Sequence, residues 1–118
     1  MYKKVTLLLA ILVMASILIS ACQPAAAPVE AKMKVCQVTD TGGIDDKSFN
    51  ATAWLGMQKA EKDLGVEVSY LESQQQSDYE VNLNTFVEAN CDLIVPVGFL
   101  LADATSAAAD TNPDQKFA

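Results

Sequence analysis

The sequence predicts an α/β fold, a doubly wound parallel sheet, over residues 33–118. Short apolar runs alternate there with longer amphipathic stretches of helical period, the signature of strand-helix-strand units. Each intervening stretch is long enough to carry a right-handed crossover between parallel strands. A glycine-bearing acidic turn, Thr39 to Asn50 (TDTGGIDDKSFN), joins the first strand to the first helix. In open α/β sheets that junction is where ligands bind, outside the carboxyl ends of the strands.

Ahead of this domain, Lys3 and Lys4 form a basic start, Val5 to Ile19 is almost wholly apolar, and Ile19-Ser20-Ala21 places small residues before Cys22. The pattern reads as a secretory signal over 1–21 rather than a membrane-spanning helix, which needs about 20 apolar residues. Ile19-Ser20-Ala21-Cys22 resembles the bacterial lipobox, in which the cysteine is lipidated and becomes the first mature residue. Acyl chains on Cys22 would hold a domain at the extracytoplasmic face of the cell membrane. Gln23 to Lys32 (QPAAAPVEAK), rich in Ala and Pro and without a hydrophobic period, suits an extended tether.

Composition excludes several functions. The 118-residue chain carries a formal charge of −7, with no Arg and no His. Removing 1–21 takes away two lysines and no acid, leaving the mature chain more acidic still. Such a chain offers no basic footprint to a phosphate backbone, so nucleic acid is not a partner. It also lacks the commonest general base and metal ligand. No phosphate site or metal-binding acid cluster is legible, so no cofactor is expected and the chain is read as non-enzymatic. Calcium is disfavoured because the acids do not follow Asp-x-Asp-x-Asp-Gly spacing.

In chain order, Met33 to Thr39 is a first strand. A helix follows from about Ser48 to Leu64, capped by Asp46 or Ser48, with Phe49, Ala53, Trp54, Met57, Ala60 and Leu64 at helical spacing and Gly65 as the stop. Val66 to Leu71 is a second strand and Glu72 to Ser77 a polar loop. Ser77 or Asp78 caps a helix with Tyr79, Leu83, Phe86 and Val87 on one face, ended by Asn90. Leu93 to Val97 is a short buried strand in which Pro96, lacking an N–H, belongs at a ladder gap or a strand end. Leu100 to Asp110 is an alanine-rich helix stopped by Asn112-Pro113. Lys116-Phe117-Ala118 opens a fourth strand, so the sequence reads as part of a longer chain.

Asp40 closes the first strand beside Gly42 and Gly43. Asp45 and Asp46 suit turn and helix-start positions, where carboxylates belong. Trp54, Met57 and Tyr79 are packing residues. Gly98 and Phe99, at the carboxyl end of the third strand, face the same crevice as Asp40. Cys36 and Cys91 lie near the amino ends of strands that neighbour one another in a 2-1-3 order. Two buried thiols are the expectation, and a disulfide, permitted by export, is the alternative.

On TDTGGIDDKSFNATAWLG, then SDYEVNL, then VPVGF with its alanine-rich helix and NPDQKFA, residues 33–118 resemble the basic membrane protein family of bacterial lipoproteins. These are also called purine nucleoside receptor lipoproteins and are substrate-binding components of ABC transporters. The resemblance implies a two-lobed, type I periplasmic-binding-protein-like receptor, of which this sequence is the truncated first lobe. It implies a purine nucleoside as ligand and a membrane permease as partner. It further implies that Asp40 and Phe49 match ligand-contacting positions, with Phe49 stacking on the base, and that more contacts come from beyond Ala118. The chemistry agrees: an ionised Asp40 accepts from a purine N–H or a ribose hydroxyl. Asn50 either reads a purine edge or braces the turn. A sugar-binding or sensory receptor of the same fold is the competing reading, because fold alone does not set function.

Overall fold

The computed structural model describes residues 32–118. The signal over 1–21, Cys22 and the tether up to Ala31 lie outside the described residues. The elements are β1 (Lys34–Thr39), α1 (Phe49–Leu64), β2 (Glu67–Leu71), α2 (Asp78–Glu88), β3 (Leu93–Val97), a short 3-10 turn (Phe99–Leu101) and α3 (Ala102–Thr111). The strands are parallel in the order β2-β1-β3, with Cys36 opposite Ser69 on one side and Ile94 on the other. An isolated parallel bridge pairs Ile94 with Phe117, so the fourth strand expected at 116–118 begins beside β3.

Side chains alternate across the sheet, and the two faces differ in kind. Cys36, Val38 and Ile94 meet Tyr79, Leu83 and Phe86 of α2, and Leu101 and Ala108 complete this buried core. Each buried Leu, Ile or Phe there is stabilised by about 1.5–3 kcal/mol relative to exposure. On the other face Gln37 and Thr39, both fully buried, point toward α1. Met57 of α1 is buried, and Trp54 packs edge-on against Tyr70 of β2, ring centroids 4.9 Å apart.

The helix ends follow backbone rules. Gly65 adopts φ 73°, a left-handed conformation that costs glycine little, and its N–H closes on the carbonyl of Glu61. Asn90 (φ 56°) plays the comparable part after α2. Ile94 donates to Lys116 O and accepts from Ala118 N, so its backbone groups face the outer edge of β3. Two residues on, the nitrogen of Pro96 faces that same edge, where β1 needs no donor from it.

Two expectations are corrected. Cys36 and Cys91 form a disulfide with Cα atoms 6.1 Å apart, not a pair of free thiols. The reason is register: Cys36 lies opposite Ile94, which brings the residues just before β3 back alongside β1. Ser77 takes the cap position of α2 without a side-chain cap bond, and Asp78 is already the first residue of the helix. The Asp78 carboxylate instead turns back and accepts from the backbone N–H groups of Gln74 and Gln75 at 3.0 and 3.2 Å, tying the polar loop to the helix start.

Candidate binding site at the carboxyl end of the sheet

Asp40 is delivered by the last rung of the sheet. Its N–H donates to Val97 O at 3.2 Å, which locks the ends of β1 and β3 together. Its carbonyl accepts from Gly43 N–H at 3.2 Å, closing the glycine turn. The carboxylate is then divided between two tasks. Oδ1 accepts from Gly42 N–H at 3.0 Å and from Asn50 Nδ2 at 2.9 Å. Oδ2 takes no hydrogen bond from the described residues and lies against the Cα of Gly98.

Gly98 is what permits this. A Cβ there would stand within 2.7 Å of Asp40 Cγ, and the backbone holds φ 111°, which other residues rarely adopt. Any side chain at position 98 would displace the carboxylate. The structure therefore brings Asp40, Asn50 and Gly98 into one cluster. Gly98 shapes the site by its missing side chain.

The two aromatic candidates are placed differently. Phe49 opens α1 with its ring 77% exposed, and borders an open concavity of about 540 Å³ with Ser48, Thr52, Ala53 and Val97. Phe99, 87% exposed, lines a separate groove of about 380 Å³ with Gln76, Tyr79, Leu100 and Asp103, on the side of α2 and α3. The rings flank the sheet end from opposite faces and share no concavity. Their exposure is notable, since burying either would stabilise the fold.

Asn50 is itself buried. Its amide nitrogen is committed to Asp40, and its Oδ1 accepts from no described donor. Of the two roles left open for it, bracing is thus visible directly.

Three contributors went unrecognised in the sequence as parts of this site. Gln37, buried in the central strand, donates through Nε2 to Asn50 O at 3.1 Å. A lone amide in an apolar parallel strand, where both faces are covered, was the available signal. Glu72, at the end of β2, accepts from Ile44 N–H through Oε1 and stands 3.0 Å from where a Gly43 Cβ would be, so it braces the glycine turn from the neighbouring strand. Nothing in its polar surroundings marked it. Asp46, expected only as a turn or cap residue, accepts from Ser48, Asn50 and Ala51 N–H groups. Those bonds, that from Ala51 foremost, hold its carboxyl below the usual carboxylate range against the opposing push of desolvation. Ser48, at the cap position, makes no side-chain cap bond. Among the described residues, no group of three or more acidic or cysteine side chains is arranged to hold a metal ion.

An α/β lobe that gathers an acceptor, a glycine gap and an exposed ring at the carboxyl ends of parallel strands has the form of a solute-binding protein. Residues 33–118 match the family described as ABC transporter substrate-binding protein PnrA-like, and the chain belongs to that family. It is a family of binding proteins, not enzymes. The chain is 44% identical over 89 residues to a CD4+ T-cell-stimulating antigen of Listeria monocytogenes, covering 71% of this chain and 25% of that protein. It is 40% identical over 93 residues to the ABC transporter nucleoside-binding protein BmpA of Lactococcus lactis, covering 75% and 26%. Further relatives, from Pyrococcus abyssi and Borreliella burgdorferi, are named a lipoprotein and a basic membrane protein. A solved ABC solute-binding protein from Aeropyrum pernix superposes with a TM-score of 0.66 at 36% identity, over 72% of this chain and 23% of that one. The chain spans about a quarter of the length of the curated relatives it matches.

Proposed function

We propose that the protein is the receptor of an ABC importer and binds a purine nucleoside at the carboxyl end of this sheet for delivery to a membrane permease. The observation that carries the reading is Asp40. One oxygen is saturated by Gly42 and Asn50, and the other is left as an acceptor with the exposed ring of Phe49 on the first turn of α1 that Asn50 shares. A purine nucleoside supplies the complement: flat faces for stacking, worth about 1–3 kcal/mol per base, and N–H or hydroxyl donors for a carboxylate. The name of the Lactococcus relative supports the nucleoside.

The location proposed is the extracytoplasmic face of the cell membrane, through lipid on Cys22. The lipobox-like Ile19-Ser20-Ala21-Cys22 supports it, as do relatives named as lipoproteins. The Cys36–Cys91 disulfide adds an independent argument, because such bonds persist outside the reducing cytoplasm.

Calorimetric titration of inosine, guanosine and adenosine into the full-length protein tests the reading, with ribose and glucose as competitors. Saturable heat from at least one nucleoside, undisturbed by the sugars, is expected. Heat from a sugar alone would replace the nucleoside with the sugar-receptor alternative, and release of free base from inosine would overturn a binding-only role.

A further inference from the structure

We infer that Asp46 is a positioning residue of the site, setting where Phe49 and Asn50 stand without itself meeting the ligand. In its affinity arm this rests on the nucleoside reading above; its structural arm does not.

The argument begins with the start of α1. The first N–H groups of a helix have no intrahelical acceptor, and here one side chain serves that end of the helix. Asp46 Oδ1 accepts from Ser48 N–H at 2.8 Å and Ala51 N–H at 3.0 Å, while Oδ2 accepts from Asn50 N–H at 3.0 Å. To let the carboxylate reach forward in this way, the chain passes through Lys47 at φ 54°, a left-handed conformation unfavourable for a residue with a side chain. The three bonds hold that turn in place.

Asn50 is consequently gripped at three points: its N–H by Asp46, its carbonyl by Gln37 from the central strand, and its amide by Asp40. Phe49 lies between Ser48 and Asn50, so its backbone is held on both sides while its ring stays free. A helix turns by about 100° per residue, and a start shifted by one position would swing the ring away from Asp40. Asp46 thus fixes the helical phase of both residues.

The test compares Asp46→Ala and Asp46→Asn with Asp78→Ala in the full-length protein. Asp78 is a fitting control because its carboxylate likewise accepts backbone N–H groups, those of Gln74 and Gln75, yet bonds to no residue of the site. Inosine affinity is expected to fall roughly tenfold or more in Asp46→Ala, on the scale of a lost cap. It should fall less in Asp46→Asn, which keeps one acceptor oxygen, and remain unchanged in Asp78→Ala. In a Phe49→Ala background the Asp46→Ala effect should shrink, since the share carried by the ring is already lost and only the share carried through Asn50 and Asp40 remains.

Independently of any ligand, the side-chain amide resonances of Asn50 report its bond to Asp40. They should shift in Asp46→Ala and not in Asp78→Ala. Unchanged Asn50 amide resonances in both Asp46 variants, or an undiminished effect in the Phe49→Ala background, would overturn the inference. Should Asp46→Ala not fold, Asp46→Asn is read alone. If the unmutated protein binds no nucleoside, the nucleoside reading falls and the amide resonances still decide the positioning role.

Discussion

At the amino end of the sheet, β1 and the segment entering β3 are bound by the Cys36–Cys91 disulfide and by a reciprocal pair of bonds between Lys34 and Asp92. Gln115 adds a bond to Cys91 O, and Phe86 packs in the same core. At the carboxyl end the same two strands are joined by the bond from Asp40 N–H to Val97 O, and beyond it lie Gly43 and Gly98 at positive φ, a left-handed Lys47, carboxylates aimed at backbone N–H groups and exposed aromatic rings. Buried oxygens of Gln37 and Asn50 have no donor there among the described residues. The covalent link is at one end, and the turn through Lys47, the oxygens without a described donor and the exposed rings are at the other. Binding surfaces are commonly the less stable part of a fold, and here the division falls along the length of two strands.

That division can be broken at its strong end first. Replacing both Cys36 and Cys91 by serine, or reducing the bond, opens a loop closed over 55 residues. The expected loss is about 4 kcal/mol in denaturant unfolding. Nucleoside affinity of the protein that stays folded should be unchanged within twofold. An equal loss of affinity would mean that the two ends are not independent.

Asp40→Ala, at the other end, should do the reverse. The lost charged acceptor costs about 1.5–3 kcal/mol of binding, roughly 10- to 100-fold in affinity by calorimetry, with a smaller effect on unfolding. Phe49→Ala should weaken binding by somewhat less, within the roughly 1–3 kcal/mol of base stacking. Its ring is exposed, so the unfolding free energy should change by no more than about 0.5 kcal/mol. Affinities like the parent's in both variants would remove the site from this end of the sheet.

The smallest effect concerns pH. The folded state lowers the Asp46 carboxyl below its ordinary value, so it contributes stability above the unfolded value of about 3.9. That contribution is lost as pH falls through the lower, folded value. Asp46→Asn should therefore unfold with a shallower acid limb below about pH 5, measured as unfolding midpoint against pH. An identical limb would show that the carboxylate bonds count for nothing in solution.

The strands and helices were legible because their periods are local properties: Leu93 to Val97 and the Tyr79, Leu83, Phe86 stripe need no partner to be read. Asp40, Asn50 and Gly98 were legible as candidates through the motif and the rule of strand ends. Their shared carboxylate was not, since it depends on the bond from Asp40 N–H to Val97 O. The disulfide is not legible for a related reason, because pairing follows from register across 55 residues. Gln37 and Glu72 are not legible because each acts across elements, Gln37 on Asn50 in α1 and Glu72 on Ile44 in the turn after β1. Position in the chain predicts Phe99 in the crevice, yet it turns toward α2 and α3 through the 3-10 turn after Gly98.

Pro96 carries a consequence for the chain before its fourth strand has docked. Until Phe117 pairs with Ile94, the outer edge of β3 is an open row of donors and acceptors, the kind of surface on which a second chain can add a strand and begin to aggregate. The ring nitrogen of Pro96 faces that edge and offers no proton, so an intruding strand would find its ladder interrupted after Ile94. A residue that withholds no donor on the β1 side thereby removes one from the outer edge.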